Sequence, residues 1–149
     1  MDWFLDEDVV KFSDNQYREF SLESQITYVN ECIGNKNKDL YGVFLSNQHI
    51  GNILIDGLEN IHRNAEITYL IGNKKYWGMG VASYAISKIV ELANIKYKLN
   101  KIYAGCAENN LGSRKALEKN NFIIEGIRKK HLFYNDTWFD QIDYGLILD

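Results

Sequence analysis

From Ala65 to Ala82 the chain reads Ala-Glu-Ile-Thr-Tyr-Leu-Ile-Gly-Asn-Lys-Lys-Tyr-Trp-Gly-Met-Gly-Val-Ala. It contains a β-rich run, a short basic loop and a Gly-x-Gly-x-Ala turn that opens a helix. Gly78 and Gly80 let backbone N–H groups approach a ligand closely, and a helix N-terminus adds unpaired donors and the positive end of a dipole. The chemistry on offer is anion binding, with a phosphate as the obvious guest. A Walker-type loop needs a lysine directly after its last glycine, and Val81 stands after Gly80. A dinucleotide fingerprint needs a third glycine where this chain has Ser83, and it belongs early in a βαβ unit, whereas this turn lies mid-chain.

The elements that must hold the turn are legible from periodicity. Trp3 to Phe12 suggests a short helix or turn, with a strand over Val9 to Phe12 as the alternative. Ser21 is a helix N-cap, Ile26, Tyr28, Val29 and Ile33 recur at helical spacing, and Gly34-Asn35 ends that helix. Asp39 to Leu45 and His49 to Ile55 form a hairpin across Ser46-Asn47-Gln48, and Asp56-Gly57 closes it. A strand over Ala65 to Ile71 precedes the glycine turn. The helix that follows, from about Ser83 to Lys98, carries a broad apolar face from Ala82 to Tyr97. Lys101 to Cys106 is a strand, Asn110 and Ser113 flank the entry to a helix through Lys119, and Asn120-Asn121 stops it. Phe122 to Arg128 and Gln141 to Leu148 are the last strands, with Asn135-Asp136 in the turn between them. Asn135 also opens a glycosylation sequon, which the turn explains without further purpose. Helices, a meander and then strand–helix–strand–helix–strand–strand make a mixed α/β architecture.

Composition narrows the function. At 149 residues, with 46% hydrophobic and 13% aromatic content, the chain suits a single domain spanning 1–149. It has no proline, repeat or low-complexity linker on which a boundary might rest. A net charge of −3 and a pI near 5.6 argue against nucleic-acid or anionic-membrane partners and permit a cationic substrate. Cys32 and Cys106 lie far apart with no CxxC or His-Cys spacing, which points to reduced thiols and no metal site. No membrane-length apolar window occurs and the start is acidic, so a cytoplasmic location is expected.

Four ordered segments account for more of the residues. Ala65-Glu66-Ile67, Tyr76-Trp77-Gly78-Met79-Gly80-Val81-Ala82, Asn110-Leu111-Gly112-Ser113 and Leu117-Glu118-Lys119-Asn120-Asn121-Phe122 resemble the GNAT N-acetyltransferase superfamily. The similarity is greatest to the branch that includes ribosomal-protein N-terminal and spermidine acetyltransferases. Glu125-Gly126-Ile127-Arg128 and Asp140 through Tyr144-Gly145-Leu146 extend it, to cover roughly residues 3 to 148. Trp77 stands where the superfamily commonly has Gln or Arg, as is usual in this branch. Asn121 replaces a glycine, and tolerates the same left-handed backbone. The family's strand before the first helix has no counterpart after Met1.

The resemblance implies a fold, a cosubstrate and a set of roles. The fold is a central mixed, mostly antiparallel sheet flanked by helices, lacking the family's first strand. The activity is acetyl-CoA-dependent N-acetylation of a primary amine, by direct attack in a ternary complex. The acceptor is a protein N-terminus, a polyamine or an amino sugar, and the enzyme works as a monomer or homodimer. The alternative is a noncatalytic acyl-CoA-binding or sensing module. Pyrophosphate is expected on the amides of Trp77, Gly78, Met79, Gly80, Val81 and Ala82, and pantetheine along Leu70, Ile71 and Gly72. Asn110 and Ser113 are expected at the pantetheine and thiol, and Lys74, Lys75 and Arg114 near phosphates. Glu66 is expected as the base that takes a proton, directly or through water, from the amine, which is mostly protonated at neutral pH; the alternative is that it orients substrate or pairs with a nearby cation. Many members carry a tyrosine acid where this chain has Leu117, so Ser113 or water must serve the departing thiolate. Tyr69, Tyr84, Tyr103 and Trp138 are expected as core or pocket wall, and Cys106 as a small buried hydrophobe.

Overall fold

The computed structural model describes residues 2–149. Six strands form one sheet in the order β1-β2-β3-β4-β6-β5, where β1 is Lys38–Leu45, β2 Gln48–Asp56, β3 Asn64–Ile71, β4 Lys101–Ala107, β5 Ile123–Tyr134 and β6 Thr137–Ile147. All neighbours are antiparallel except β3 and β4, which are parallel. That one parallel step follows from the chain: β3 and β4 are joined by the helix α3 (Val81–Ile95), and a parallel pair requires such a crossover. The other helices are α1 (Glu7–Val10), α2 (Leu22–Ile33) and α4 (Leu111–Lys119).

Local chemistry explains the boundaries. In a two-way capping box, the Ser21 hydroxyl accepts from the Ser24 N–H at 3.0 Å and the Ser24 hydroxyl from the Ser21 N–H at 3.1 Å. The reciprocal partner of Ser21 is thus Ser24. The β1–β2 hairpin turns on Ser46 and Asn47 alone, at φ 48° and 65°, as a two-residue primed turn demands, so Gln48 belongs to the strand. Asn135 and Asp136, at φ 50° and 56°, form the same kind of turn. The strands beside it run on to Tyr134 and from Thr137, well past the Arg128 and Gln141 limits expected from the sequence. Their extra length carries irregular register between Arg128 and Leu132, which breaks the alternation that would have revealed it. Likewise α3 begins two residues earlier than periodicity suggests, directly after Gly80, which is its N-cap in the left-handed region at φ 80°.

The core lies between one face of the sheet and helices α3 and α4. Ile53, Ile55, Ala65, Ile67, Ile102, Ala104 and Ile142 meet Ile86, Ile89, Ala93, Ala116 and Leu117 there. At the outer rim, Lys96 binds Asp39 of β1 at 3.0 Å, and Tyr41 and Tyr97 hydrogen bond each other and the same carboxylate and ammonium. This cluster ties the end of α3 to β1. Segments before β1 meet the rest from other directions: Phe12 packs edge-on against Phe139, and the Tyr17 hydroxyl donates to the Phe133 carbonyl at 2.8 Å. The apolar spacing of α2 has a different outcome from the one its periodicity suggests. Ile26, Val29 and Ile33 are exposed and only Cys32 of that helix is buried. Helical spacing identifies a helix without saying which face finds a partner.

Candidate active site

The sheet opens between β3 and β4. The two strands pair only at Asn64–Lys101, Ala65–Ile102 and Glu66–Tyr103, while β3 runs on to Ile71 against β2 and β4 to Ala107 against β6. Beyond Glu66 and Tyr103, facing backbone edges therefore diverge into a cleft at the carboxyl ends of the two parallel strands, where ligands gather in such sheets. The Gly72 N–H bonds to the Ile50 carbonyl of β2 at 2.9 Å. Since backbone polar groups alternate sides along a strand, the N–H groups of Tyr69 and Ile71 point into the cleft and that of Leu70 points to β2. The same alternation sends the Ile71 carbonyl cleftward, where the Trp77 indole N–H donates to it at 2.7 Å.

After β3 the loop is held from two sides. Trp3 packs its ring on Gly72, where a Cβ would collide with the indole. Lys74 lies 2.8 Å from Asp6 and 3.0 Å from Asp8, which ties the loop to the amino-terminal segment. Gly78 and Gly80 take φ 73° and 80°, and a Cβ at either would meet nothing within 4 Å. Their side of the turn is open. Among the described residues the N–H groups of Gly78, Met79 and Gly80 make no backbone hydrogen bond, and no side chain caps the first turn of α3. With Val81 and Ala82 they form a row of donors at a helix N-terminus. Met79 and Trp77 are exposed beside it.

Across the cleft, Asn110 caps α4, its Oδ1 accepting from the Ser113 N–H at 3.2 Å. Ser113 Oγ lies 2.6 Å from the Tyr69 hydroxyl. The structure therefore joins Ser113 to β3 through a tyrosine that the sequence suggested only as a wall. Arg114 turns inward: its Nε donates to the Tyr144 hydroxyl at 3.2 Å and its NH1 to the Glu108 carbonyl at 3.2 Å, and Tyr144 donates onward to Glu118 at 2.7 Å. It thereby braces α4 against β6. Cys106 is buried, and burial pushes its thiol up to about 11, against the pull of Arg114 and Ser113.

Glu66 sits at the apex of the cleft on the sheet face opposite the core. Among the described residues it has no hydrogen-bonded or ion-paired side-chain partner. Asp56 stands directly across from it on β2 and Tyr103 on β4. Burial holds its carboxyl above the ordinary range, reinforced by Asp56 and Asp143 and opposed by Arg128, which itself pairs with Asp143 at 2.7 Å. A carboxylate so placed is a better proton acceptor than a free one. Asp56 was invisible as a site residue in the sequence; only the β2–β3 register sets it beside Glu66. Among the described residues no cluster of three or more His, Cys, Asp or Glu could hold a metal ion, and no helix is long and apolar enough to cross a membrane.

Comparison with known proteins agrees with this geometry. The profile of the acetyltransferase (GNAT) domain matches residues 1–123. The chain is 32% identical over 133 residues to Probable N-acetyltransferase YjcK of Bacillus subtilis (strain 168), across 86% of this chain and 72% of that protein. With the ribosomal-protein-serine acetyltransferase of Escherichia coli (strain K12) it shares 27% over 110 residues, 74% of this chain and 61% of that one. The crystal structure of spermidine N-acetyltransferase from Vibrio cholerae in complex with CoA and spermine superposes with a TM-score of 0.86 at 19% identity, covering 99% of this chain and 86% of that one. At that identity the likeness is one of fold.

Proposed function

Since the chain belongs to the GNAT acetyltransferase family of enzymes, we propose that it transfers an acetyl group from acetyl-CoA to a primary amine within the cleft between β3 and β4. One observation supports the reading: β3 parts from β4 immediately after Glu66, and the strand edge it frees leads toward a turn whose Gly78, Met79 and Gly80 amides make no backbone hydrogen bond among the described residues. The pyrophosphate lies on the amides from Gly78 to Ala82, and the pantetheine pairs with the open edge of β3. The N–H of Ile71 or Tyr69 polarises the thioester carbonyl and holds the oxyanion of the tetrahedral intermediate.

Glu66 takes the proton of the attacking ammonium, directly or through a water. The neutral amine adds to the carbonyl, the added nitrogen gives its second proton to water, the C–S bond breaks, and the thiolate leaves beside Ser113. Protein N-termini, polyamines and amino sugars all meet the requirement for a primary amine, and the chain from 1 to 149 acts as one cytoplasmic domain. Support for the cosubstrate comes from the fold shared with a CoA-bound neighbour.

A CoA-release assay over polyamines, amino sugars and amino-terminal peptides tests the proposal. At least one class turns over, and Glu66→Gln lowers kcat about 10²- to 10⁴-fold, the usual worth of a general base, while CoA affinity stays within twofold. CoA binding without turnover of any amine would replace the enzyme with a noncatalytic acyl-CoA-binding module.

A further inference from the structure

The transfer chemistry above gives the Tyr69 hydroxyl no task. It lies on β3 where the strand has parted from β4, and its ring packs against the core. Its hydroxyl is 2.6 Å from Ser113 Oγ and 3.3 Å from the Ser113 carbonyl. Around it stand Cys106 of β4 and Tyr144 of β6, the latter held by Arg114 and Glu118 of α4. We infer that Tyr69 is a positioning residue for the thiolate leaving group: its hydroxyl donates a hydrogen bond to Ser113 Oγ and so directs the serine O–H toward the sulfur of CoA. This rests on the proposed acetyl-CoA reaction.

Proton geometry supports the direction. A phenol is a stronger acid than an alkanol, so in a 2.6 Å contact the phenol donates and the serine accepts. The serine proton is then free, and its hydroxyl can no longer rotate to give that proton to Tyr69. The Asn110 cap fixes the Ser113 backbone and Tyr69 anchors its Oγ, so the serine O–H is kept off the tyrosine and is available to a sulfur beside it; the Cys106 thiol is the protein's own sulfur on that hydroxyl. Burial holds the Tyr69 phenol well above its ordinary range. It therefore stays a donor at every working pH and is unsuited to give its proton away. The thiolate is stabilised by the hydrogen bond from Ser113, and the Tyr69 hydroxyl acts only through that serine.

A double-mutant cycle with Tyr69→Phe and Ser113→Ala decides the matter by two readouts. In turnover, Tyr69→Phe lowers kcat about tenfold, the scale of one hydrogen bond, with KM for acetyl-CoA within twofold. The double variant is then no slower than Ser113→Ala alone. In binding, calorimetric affinities of CoA and desulfo-CoA are compared from about pH 7 to about pH 9.5, a window that brackets thiol ionisation. The wild-type preference for CoA grows as the thiolate forms, and Tyr69→Phe flattens that growth. Losses that simply add, or equal weakening of CoA and desulfo-CoA, overturn the inference and leave Tyr69 a packing residue. If the wild type turns over no amine, the proposed function fails, and the CoA against desulfo-CoA comparison still decides the role of Tyr69.

Discussion

Replacing Gly80 with alanine separates the backbone requirement of the phosphate turn from its packing. At Gly80 φ is 80°, and a Cβ there would meet nothing within 4 Å, so the substitution introduces no clash. Its cost is conformational: the left-handed region disfavours an L-residue by about 1–2 kcal/mol. The stiffer unfolded chain of the alanine variant offsets about 0.4–1 kcal/mol of that. The net is about 1 kcal/mol, and linkage fixes where it appears. If the free protein keeps φ near 80°, the loss falls on folding, as a Tm lower by about 2–4 °C, with CoA affinity unchanged. If the free turn relaxes, Tm holds and CoA binds about fivefold more weakly, because binding must restore the left-handed residue. Thermal unfolding and CoA calorimetry on one preparation measure both parts, and their sum stays near 1 kcal/mol. Gly80→Asn, whose side chain tolerates that backbone, recovers part of it. A sum above about 3 kcal/mol, or no loss in either assay, would refute the assignment of Gly80 to a strained, unpacked turn.

Two further outcomes follow from other parts of the structure. Glu66 is held above the ordinary carboxylate range by burial and then by Asp56, so the acid limb of the kcat/KM profile lies above that range, and Asp56→Asn moves it to lower pH; an unmoved limb would exclude Asp56 as a tuning charge. The same shift has a stability sign: the folded state prefers protonated Glu66, so that contribution is complete below the unfolded pKa and is lost as pH rises through the folded one. Leu117 is fully buried under α4, and Leu117→Ala costs about 2–5 kcal/mol, roughly 5–15 °C in Tm; a shift under about 2 °C in a thermal melt would contradict its place in the core.

The long register-irregular hairpin shows what local pattern misses. Residues 129 to 134 alternate poorly because the register slips between Arg128 and Leu132, and no single-strand periodicity survives a slip. Arg114 is expected near a phosphate, and its bond to the Tyr144 hydroxyl, a partner on a distant strand, is one that no local pattern announces. The same holds for Lys74, since Asp6 and Asp8 reach it from the opposite end of the chain.

What the sequence by itself determined is local. Gly78 and Gly80 can take backbone angles closed to other residues, Asn110 and Ser21 offer caps within their own turns, and Asn135-Asp136 bends a hairpin. Each depends on residues a few positions apart, so these turns and caps were legible. The tertiary structure decided what depends on strand register and on distant partners. It set the parting of β3 from β4 after Glu66, the juxtaposition of Asp56 with Glu66, and the bond between Tyr69 and Ser113. These contacts join residues brought together only by the packing of the whole sheet against α3 and α4, and no spacing along the chain encodes them.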